Sequence, residues 1–225
     1  MKTIIVTGAG SGLGKELALL FSKQGYYVLL TGRTVDKLSA VKKIIEETGG
    51  AADVFELDVQ NESDISSKMG EISKTHRISG LINNAGVGHF GPFLNIQANE
   101  ITEMLHTNVL GTILMTKAVL PLLHEQGEGL VMNIISTAGL RAKVNEAVYV
   151  ASKFAVRGFT ESLQKEFENS RVKIKAVYMG GMNTPFWEGS NHITDSSRFR
   201  SPKEVAQIIL SQLDQDEIII ESKKS

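Results

Sequence analysis

The 225-residue chain contains no cysteine. That excludes disulfides and thiolate-held metal. Its five histidines, His76, His89, His106, His124 and His192, are scattered without ligand spacing, so no metal site is expected. No long apolar run and no leader pattern is visible, which points to a cytoplasmic setting and no membrane partner. Basic and acidic residues nearly cancel, 24 against 25, for a formal charge of −1. No basic block is interleaved with aromatics, so nucleic acid is not an expected partner. Low-complexity linkers and fixed-period repeats are also missing. The chain is long enough to bury a substantial core and is read as one domain over 1–225.

What is present is alternation. Strands are expected near Lys2–Val6, Tyr26–Thr31, Asp53–Leu57, Gly80–Asn83, Leu130–Ser136, Lys173–Tyr178 and Glu217–Ile220. Helices are expected near Lys15–Phe21, Thr34–Thr48, Glu62–Thr75, Asn99–Glu125, Ala147–Asn169 and Pro202–Leu213. This order predicts an α/β fold, a doubly wound parallel sheet with helices on both faces. Pro121 predicts a kink or an early stop in the long helix. Ligands of such sheets sit beyond the carboxyl ends of the strands. The glycine turn, Arg33, Asp58, Asn84, Ser136 and Gly180 all fall at those ends.

Two local patterns carry chemistry. The first strand runs straight into Thr7-Gly8-Ala9-Gly10-Ser11-Gly12-Leu13-Gly14, and a run of good helix formers comes next. Glycines between a strand and a helix N-terminus let backbone N–H groups and the helix dipole meet a pyrophosphate. The Gly-Lys-Ser/Thr ending of a nucleoside-triphosphate loop is absent. The second pattern is Tyr149-Val150-Ala151-Ser152-Lys153, with Ser136 thirteen positions upstream. Positions i and i+4 share a helix face, so phenol and ammonium point into one cleft. A nearby cation favours the phenolate and makes tyrosine usable as an acid or base.

Thr7-Gly8-x-x-x-Gly12-x-Gly14, Asn83-Asn84-Ala85-Gly86, Asn108, Ser136, Tyr149 and Lys153 occur together and in order. In this the chain resembles the short-chain dehydrogenase/reductase family over nearly its whole length. The resemblance implies a single Rossmann-like domain, a nicotinamide dinucleotide, and hydride transfer between it and a carbonyl or alcohol carbon of a small molecule. It implies Tyr149 as general acid in reduction and general base in oxidation, and Ser136 as partner of the substrate oxygen. Lys153 would hold the nicotinamide ribose, and Asn108 would bind a water behind Lys153. Gly8, Ser11, Gly12, Leu13 and Gly14 would cradle phosphates. Asp58 and Val59 would face adenine, Asn84, Ala85 and Gly86 the ribose and nicotinamide side, and Gly180, Met182 and Thr184 the carboxamide and phosphates. Asp58 could equally cap the following helix.

The second strand ends in Gly32-Arg33 where an acid would select NAD. A guanidinium there pairs with a 2′-phosphate, so NADP(H) is preferred, with NAD(H) possible. The family often has Pro-Gly after the sixth strand, whereas this chain has Met179-Gly180-Gly181, which predicts a looser loop. A lid is expected over about 185–200, with Phe90, Phe93, Phe186 and Trp187 as an apolar wall. A homodimer or homotetramer is the family expectation. A dinucleotide-binding regulator without turnover is the alternative reading.

Overall fold

The structure, a computed structural model, describes residues 1–188, 190, 192–193 and 195–223. Positions 189, 191 and 194 of the expected lid lie outside the described residues. In chain order the elements are β1 (Thr3–Thr7), α1 (Gly12–Lys23), β2 (Tyr27–Gly32), α2 (Val35–Glu47), β3 (Ala51–Glu56), α3 (Glu62–Thr75), β4 (Ile78–Asn83), α4 (Ala98–Met104), α5 (Gly111–Gln126), β5 (Gly129–Ile134), α6 (Ala147–Glu166), β6 (Val172–Met179), α7 (Pro202–Ser211) and β7 (Glu217–Ile220). The strands form one parallel sheet in the order β3-β2-β1-β4-β5-β6-β7. The chain winds outward from β1 in one direction and then from β4 in the other. That reversal leaves a crevice beyond the carboxyl ends of β1 and β4.

Strand register sorts the aliphatic residues onto two faces. Leu29, Ile5, Leu81, Val131 and Ile174 are paired neighbours across the sheet. They share a core with residues of α3 and α5. One residue further along, Leu30, Val6, Ile82 and Met132 form the opposite row and pack with α1, α2 and α7. Alternation at period two sends successive side chains to opposite faces, and both faces are covered, so the strands read as continuous apolar runs. Each fully buried aliphatic side chain contributes roughly 1.5–3 kcal/mol.

At the carboxyl ends the rows turn polar. Thr31 and Thr7 pair, as do Asn83 and Asn133. Asn83 Nδ2 donates to Thr116 Oγ1 and to Asn133 Oδ1, both at 2.9 Å, and Asn133 Nδ2 donates to Thr160 Oγ1 at 2.9 Å. These bonds join α5, β4, β5 and α6 behind the site. The Nδ2 groups of both buried amides thus have partners, which fixes the relative positions of the elements, while Asn83 Oδ1 has none among the described residues.

The long helix expected over Asn99–Glu125 is interrupted. Between α4 and α5 the backbone makes a π turn over Leu105–Leu110. Asn108 sits within it, and its side chain bonds the backbone of Val87 rather than its own helix. Pro121 does not stop α5, which continues to Gln126. Both Pro121 and Lys117, whose carbonyl the ring leaves without its helical partner, lie on the exposed side of α5. No described helix is long and apolar enough to cross a membrane.

A charged knot closes the β2–β3 edge. Tyr27 Oη donates to Asp53 Oδ2 at 2.7 Å and Lys42 Nζ to Asp53 Oδ1 at 3.0 Å, with His76 Nε2 at 3.8 Å. Burial pushes the Asp53 carboxyl up, but the bonds from Tyr27 and Lys42 and the Lys42 charge outweigh it and leave it below its ordinary value. Tyr27 is pushed up to about 12 by burial and by its bond to Asp53. A depressed carboxylate stabilises the fold above its unfolded pKa, and this is lost as pH falls through the folded one. Asp53→Asn is therefore expected to cost about 0.5–1 kcal/mol at pH 7, the pair being partly solvated. Urea unfolding should show the difference shrinking below about pH 4; a constant difference at both pH values would assign the loss to packing.

Candidate active site

The cleft begins at the β1–α1 turn. Gly8 and Gly12 have φ of +63° and +53°, which L side chains rarely adopt. Thr7 locks the turn to the end of β4. Its hydroxyl accepts from the N–H groups of Asn84 (2.9 Å) and Ala85 (3.0 Å) and donates to Ile82 O (3.3 Å). Asn84 Nδ2 returns a bond to Thr7 O at 3.0 Å and approaches Gly8 O at 3.3 Å. A Cβ on Gly14 would stand 2.4 Å from both Asn84 Nδ2 and Gly8 O. Ser11 precedes α1 without a side-chain cap, and no acid occupies its first turn. The leading N–H groups of α1 thus stay available to an anion.

At the adenosine end the expected residues separate. Arg33 is exposed at the tip of β2. Lys37, in the first turns of α2, lines the cleft. Gly10 makes room for it, since a Cβ there would lie 2.9 Å from Lys37 Cβ. Asp58 does not cap α3, because Asn61 takes that place by accepting from Asp64 N at 3.2 Å. Asp58 Oδ1 instead accepts from Gln60 N at 3.0 Å, folding its own loop. Val59 is buried and packs on Gly111, where a Cβ would lie 2.7 Å from Val59 Cγ2.

Ser136, Tyr149 and Lys153 converge on one wall of the cleft. Ser136 follows β5, with Oγ accepting from Ala138 N at 3.1 Å. Tyr149 and Lys153 lie one turn apart on α6, with Lys153 Nζ 5.6 Å from the phenol ring centroid. Lys153 Nζ also donates to Ile134 O at 3.2 Å. Asn108 Nδ2 donates to Val87 O (2.9 Å) and Ser152 Oγ (3.0 Å), and its Oδ1 accepts from Val87 N (2.8 Å). It thus ties the π turn to the β4 exit and to α6. A Cβ on Gly86 would lie 3.2 Å from Asn108 Oδ1 and 3.7 Å from Lys153 Nζ, so this glycine admits both.

The electrostatics differ from the spacing argument. Burial pushes the Tyr149 phenol well above its ordinary value, the Ser136 hydroxyl opposes that, and the Glu146 charge adds to it. Burial also pulls the Lys153 ammonium down to about 8. In the protein alone, loss of solvation outweighs the neighbouring cation.

The opposite wall comes from the segment after β6. Gly180 and Gly181 are not there for looseness. A Cβ on Gly180 would lie 2.8 Å from Ser222 N, and one on Gly181 would lie 2.2 Å from the Phe199 ring. Met182 bridges to Arg200, and its carbonyl accepts from Trp187 Nε1 at 2.9 Å. Thr184 lies against the cradle, its Cγ2 3.3 Å from where a Gly12 Cβ would be. Phe186 and Trp187 line the cleft. Phe90 stands behind them, 5.3 Å from the Tyr149 ring. Phe93 turns to solvent and forms no part of the wall. His89 is held between Glu103 (2.8 Å) and Glu100 (3.5 Å).

Gly8, Ser11, Gly12, Leu13, Asn84, Ala85, Gly86, Ser136, Tyr149, Lys153, Gly180, Met182 and Thr184 therefore border one cavity of about 500 Å³. Arg33, Asp58, Val59, Gly14 and Asn108 stand outside its lining. Sequence reasoning missed Lys37, Lys143 and Glu146, which do line it. No local pattern marks them, because their place depends on segments distant in the chain.

A family model for short chain dehydrogenase matches residues 2–194. The chain belongs to the short-chain dehydrogenase family and is an oxidoreductase of that class. It is 30% identical over 233 residues to the NADP-dependent 3-hydroxy acid dehydrogenase of Schizosaccharomyces pombe, an alignment covering 97% of this chain and 89% of that protein. A short-chain dehydrogenase from Sphingobium yanoikuyae in complex with NADPH matches with TM-score 0.90 and 25% identity over 98% of this chain and 87% of that one. The alcohol dehydrogenase of the archaeon Thermococcus sibiricus, complexed with 5-hydroxy-NADP, matches with TM-score 0.87 and 25% identity over 100% and 96%.

The cradle makes a direct prediction. Gly14→Ala should destabilise the protein by roughly 1–3 kcal/mol, because backbone on one side leaves the methyl nowhere to go. Gly158→Ala on α6, with nothing within 4 Å of its added Cβ, should be neutral or stabilising. Thermal unfolding of the two variants checks this, and equal midpoints would show that the turn yields.

Proposed function

We propose that the protein is an NADP(H)-dependent oxidoreductase that interconverts a carbonyl and an alcohol on a small molecule, with Tyr149 as general acid and base. The observation that carries this is the convergence of Ser136, Tyr149 and Lys153 on a cleft continuous with the glycine turn. The cradle fits a dinucleotide. Gly8 and Gly12 keep side chains out of it, the leading N–H groups of α1 suit a pyrophosphate, and the cavity reaches from there to the phenol.

A bound nicotinamide supplies or accepts the hydride at the substrate carbon. The chain's own residues handle the oxygen. In reduction, Ser136 Oγ and Tyr149 Oη hold the carbonyl oxygen, and Tyr149 gives its proton as negative charge develops there. Oxidation runs the same transfer in reverse. Lys153 would hold the ribose hydroxyls, and its ammonium beside the phenol would favour the phenolate. Asn108 keeps the π turn, Val87 and α6 in register. A regulator without turnover would have no use for a phenol buried between a hydroxyl and an ammonium.

The adenosine end supports the phosphorylated cofactor. Arg33 is exposed at the β2 tip and Lys37 lies on the cleft wall in the first turns of α2, so two cations would be at hand for a ribose 2′-phosphate. The fission-yeast relative is NADP-dependent, and two structural relatives hold NADPH or an NADP derivative.

Two experiments test the reading. Tyr149→Phe should lower carbonyl reduction about 10²–10⁴-fold while NADPH affinity stays within error; retained turnover would remove Tyr149 from the chemistry. Arg33→Ala combined with Lys37→Ala should reduce the NADPH-to-NADH ratio of kcat/KM by about tenfold or more, the loss of a charged phosphate contact. An unchanged ratio would place the discrimination elsewhere.

A further inference from the structure

Glu146 belongs to neither the cradle nor the Ser136–Tyr149–Lys153 group, yet it lines the same cleft. It directly precedes α6, and its carbonyl accepts the Val150 N–H at 2.7 Å. Its side chain is only 8% exposed. Oε1 lies 3.0 Å from His192 Nε2, while Oε2 finds no hydrogen-bond donor among the described residues. Lys143 Nζ stands 4.0 Å from Oε2. A buried, half-satisfied carboxylate is costly to keep.

Its partner comes from the lid. The His192 ring stacks on Phe90 with centroids 4.9 Å apart and planes 15° apart, and it lies 6.2 Å from Trp187. Phe90 in turn stacks on Trp187 at 5.0 Å and meets the Tyr149 ring edge-on at 5.3 Å. One hydrogen bond thus joins the lid to the start of the helix that carries Tyr149. An aromatic stack joins the same lid residue to the phenol itself.

We propose that Glu146 is a positioning residue that couples the lid to Tyr149: it holds His192 and Trp187 over the substrate end and keeps a carboxylate one helical turn from the phenol. The catalytic half of this inference rests on the acid–base role assigned to Tyr149. Ser136 from the end of β5 and Glu146 before α6 act on the phenol, Lys153 stands 5.6 Å from its ring, Lys143 lines the same cleft, and His192 reaches the ring only through Phe90. Lys153 favours the phenolate and Glu146 the neutral phenol. The Glu146 charge adds to the rise that burial imposes on the phenol, and the Ser136 hydroxyl opposes it.

Trp187 is the sole tryptophan of the chain, so its fluorescence reports on the lid without any turnover. Acrylamide quenching of the protein alone should rise in His192→Ala and in Glu146→Ala. It should stay at the wild-type value in Glu146→Gln, whose amide oxygen still accepts from the imidazole, and fall back in His192→Gln. In alcohol oxidation Tyr149 must be deprotonated, and removing the negative charge favours that form. Glu146→Gln should therefore move the acidic limb of kcat/KM to lower pH by roughly half a unit, a gain of roughly threefold on that limb. His192→Ala should raise KM for the substrate and leave the limb in place. Unchanged quenching in both alanine variants overturns the lid half, and an unmoved limb in Glu146→Gln overturns the charge half. A protein that shows the quenching pattern but turns over no alcohol or carbonyl would refute the proposed function and leave the lid contact standing.

Discussion

The site depends on the clamp between Thr7 and the exit of β4. A parallel sheet has no hairpin to hold adjacent strand ends together, so the crevice between β1 and β4 would splay without a cross-link. Thr7 supplies one with a single hydroxyl, which accepts from Asn84 N and Ala85 N and donates to Ile82 O. Asn84 reciprocates through its amide to Thr7 O. Thr7 Oγ1 and Asn84 Nδ2 both have partners, so burying this knot costs little and its geometry is narrow. The glycine turn inherits that geometry, because Gly8 and Gly14 pack directly on Asn84 and on each other. The rest of the cleft is placed relative to this knot.

Behind the knot, polar bonds carry order to α6. The line Thr116–Asn83–Asn133–Thr160 crosses from α5 to α6 through the middle of the sheet. Asn108 makes a second crossing, from the π turn to Val87 and Ser152. Ser152 Oγ itself donates to Tyr149 O at 2.7 Å, so the backbone under the phenol is held from below. Buried amide networks specify one arrangement because a shifted arrangement leaves donors unpaired. This is how a tyrosine and a lysine on one helix come to face a serine on another element with little freedom left.

The parts legible in the sequence are those whose cause is local. The switch from a β-branched run to glycines to helix formers marks β1, the cradle and α1 without further information. The four-residue spacing of Tyr149 and Lys153 places both on one face, and the absence of an acid at the end of β2 can be read directly. What escaped has causes far along the chain. Asn108 is recognisable as a poor helix former, but the π turn it sits in answers to Val87. Gly180 and Gly181 look like loop softeners until Ser222 and Phe199 are seen pressed against them. Lys37 matters because Gly10 lets it in, and Glu146 because His192 reaches back to it. Phe93 reads as a wall residue from its neighbours alone, yet nothing in its own segment says which way it turns. The direction of the Tyr149 shift escapes the sequence for the same reason: a neighbouring cation is visible in four residues, whereas burial is a property of the whole fold.

The two sides of the cleft are built from different materials, and this divides their roles. The cradle side is made of backbone: positive-φ glycines, free N–H groups at the start of α1, and carbonyls fixed by the Thr7 knot. Backbone at a strand–helix junction cannot be altered without disturbing the sheet, so this side is committed to one kind of ligand. The far side is made of side chains on connecting segments: Phe186, Trp187, Lys143, Glu146, and His192 behind them. Such groups can be exchanged while β1 to β7 stay as they are. Tyr149 stands where the two sides meet, with the hydrogen-bond network beneath it and Phe90 and Phe186 against its ring. Tyr149 thus meets the side-chain wall through Phe90 and Phe186 and the cradle side through Lys153. That asymmetry is what lets a fold of this kind hold its redox partner constant while the molecule it reduces or oxidises varies.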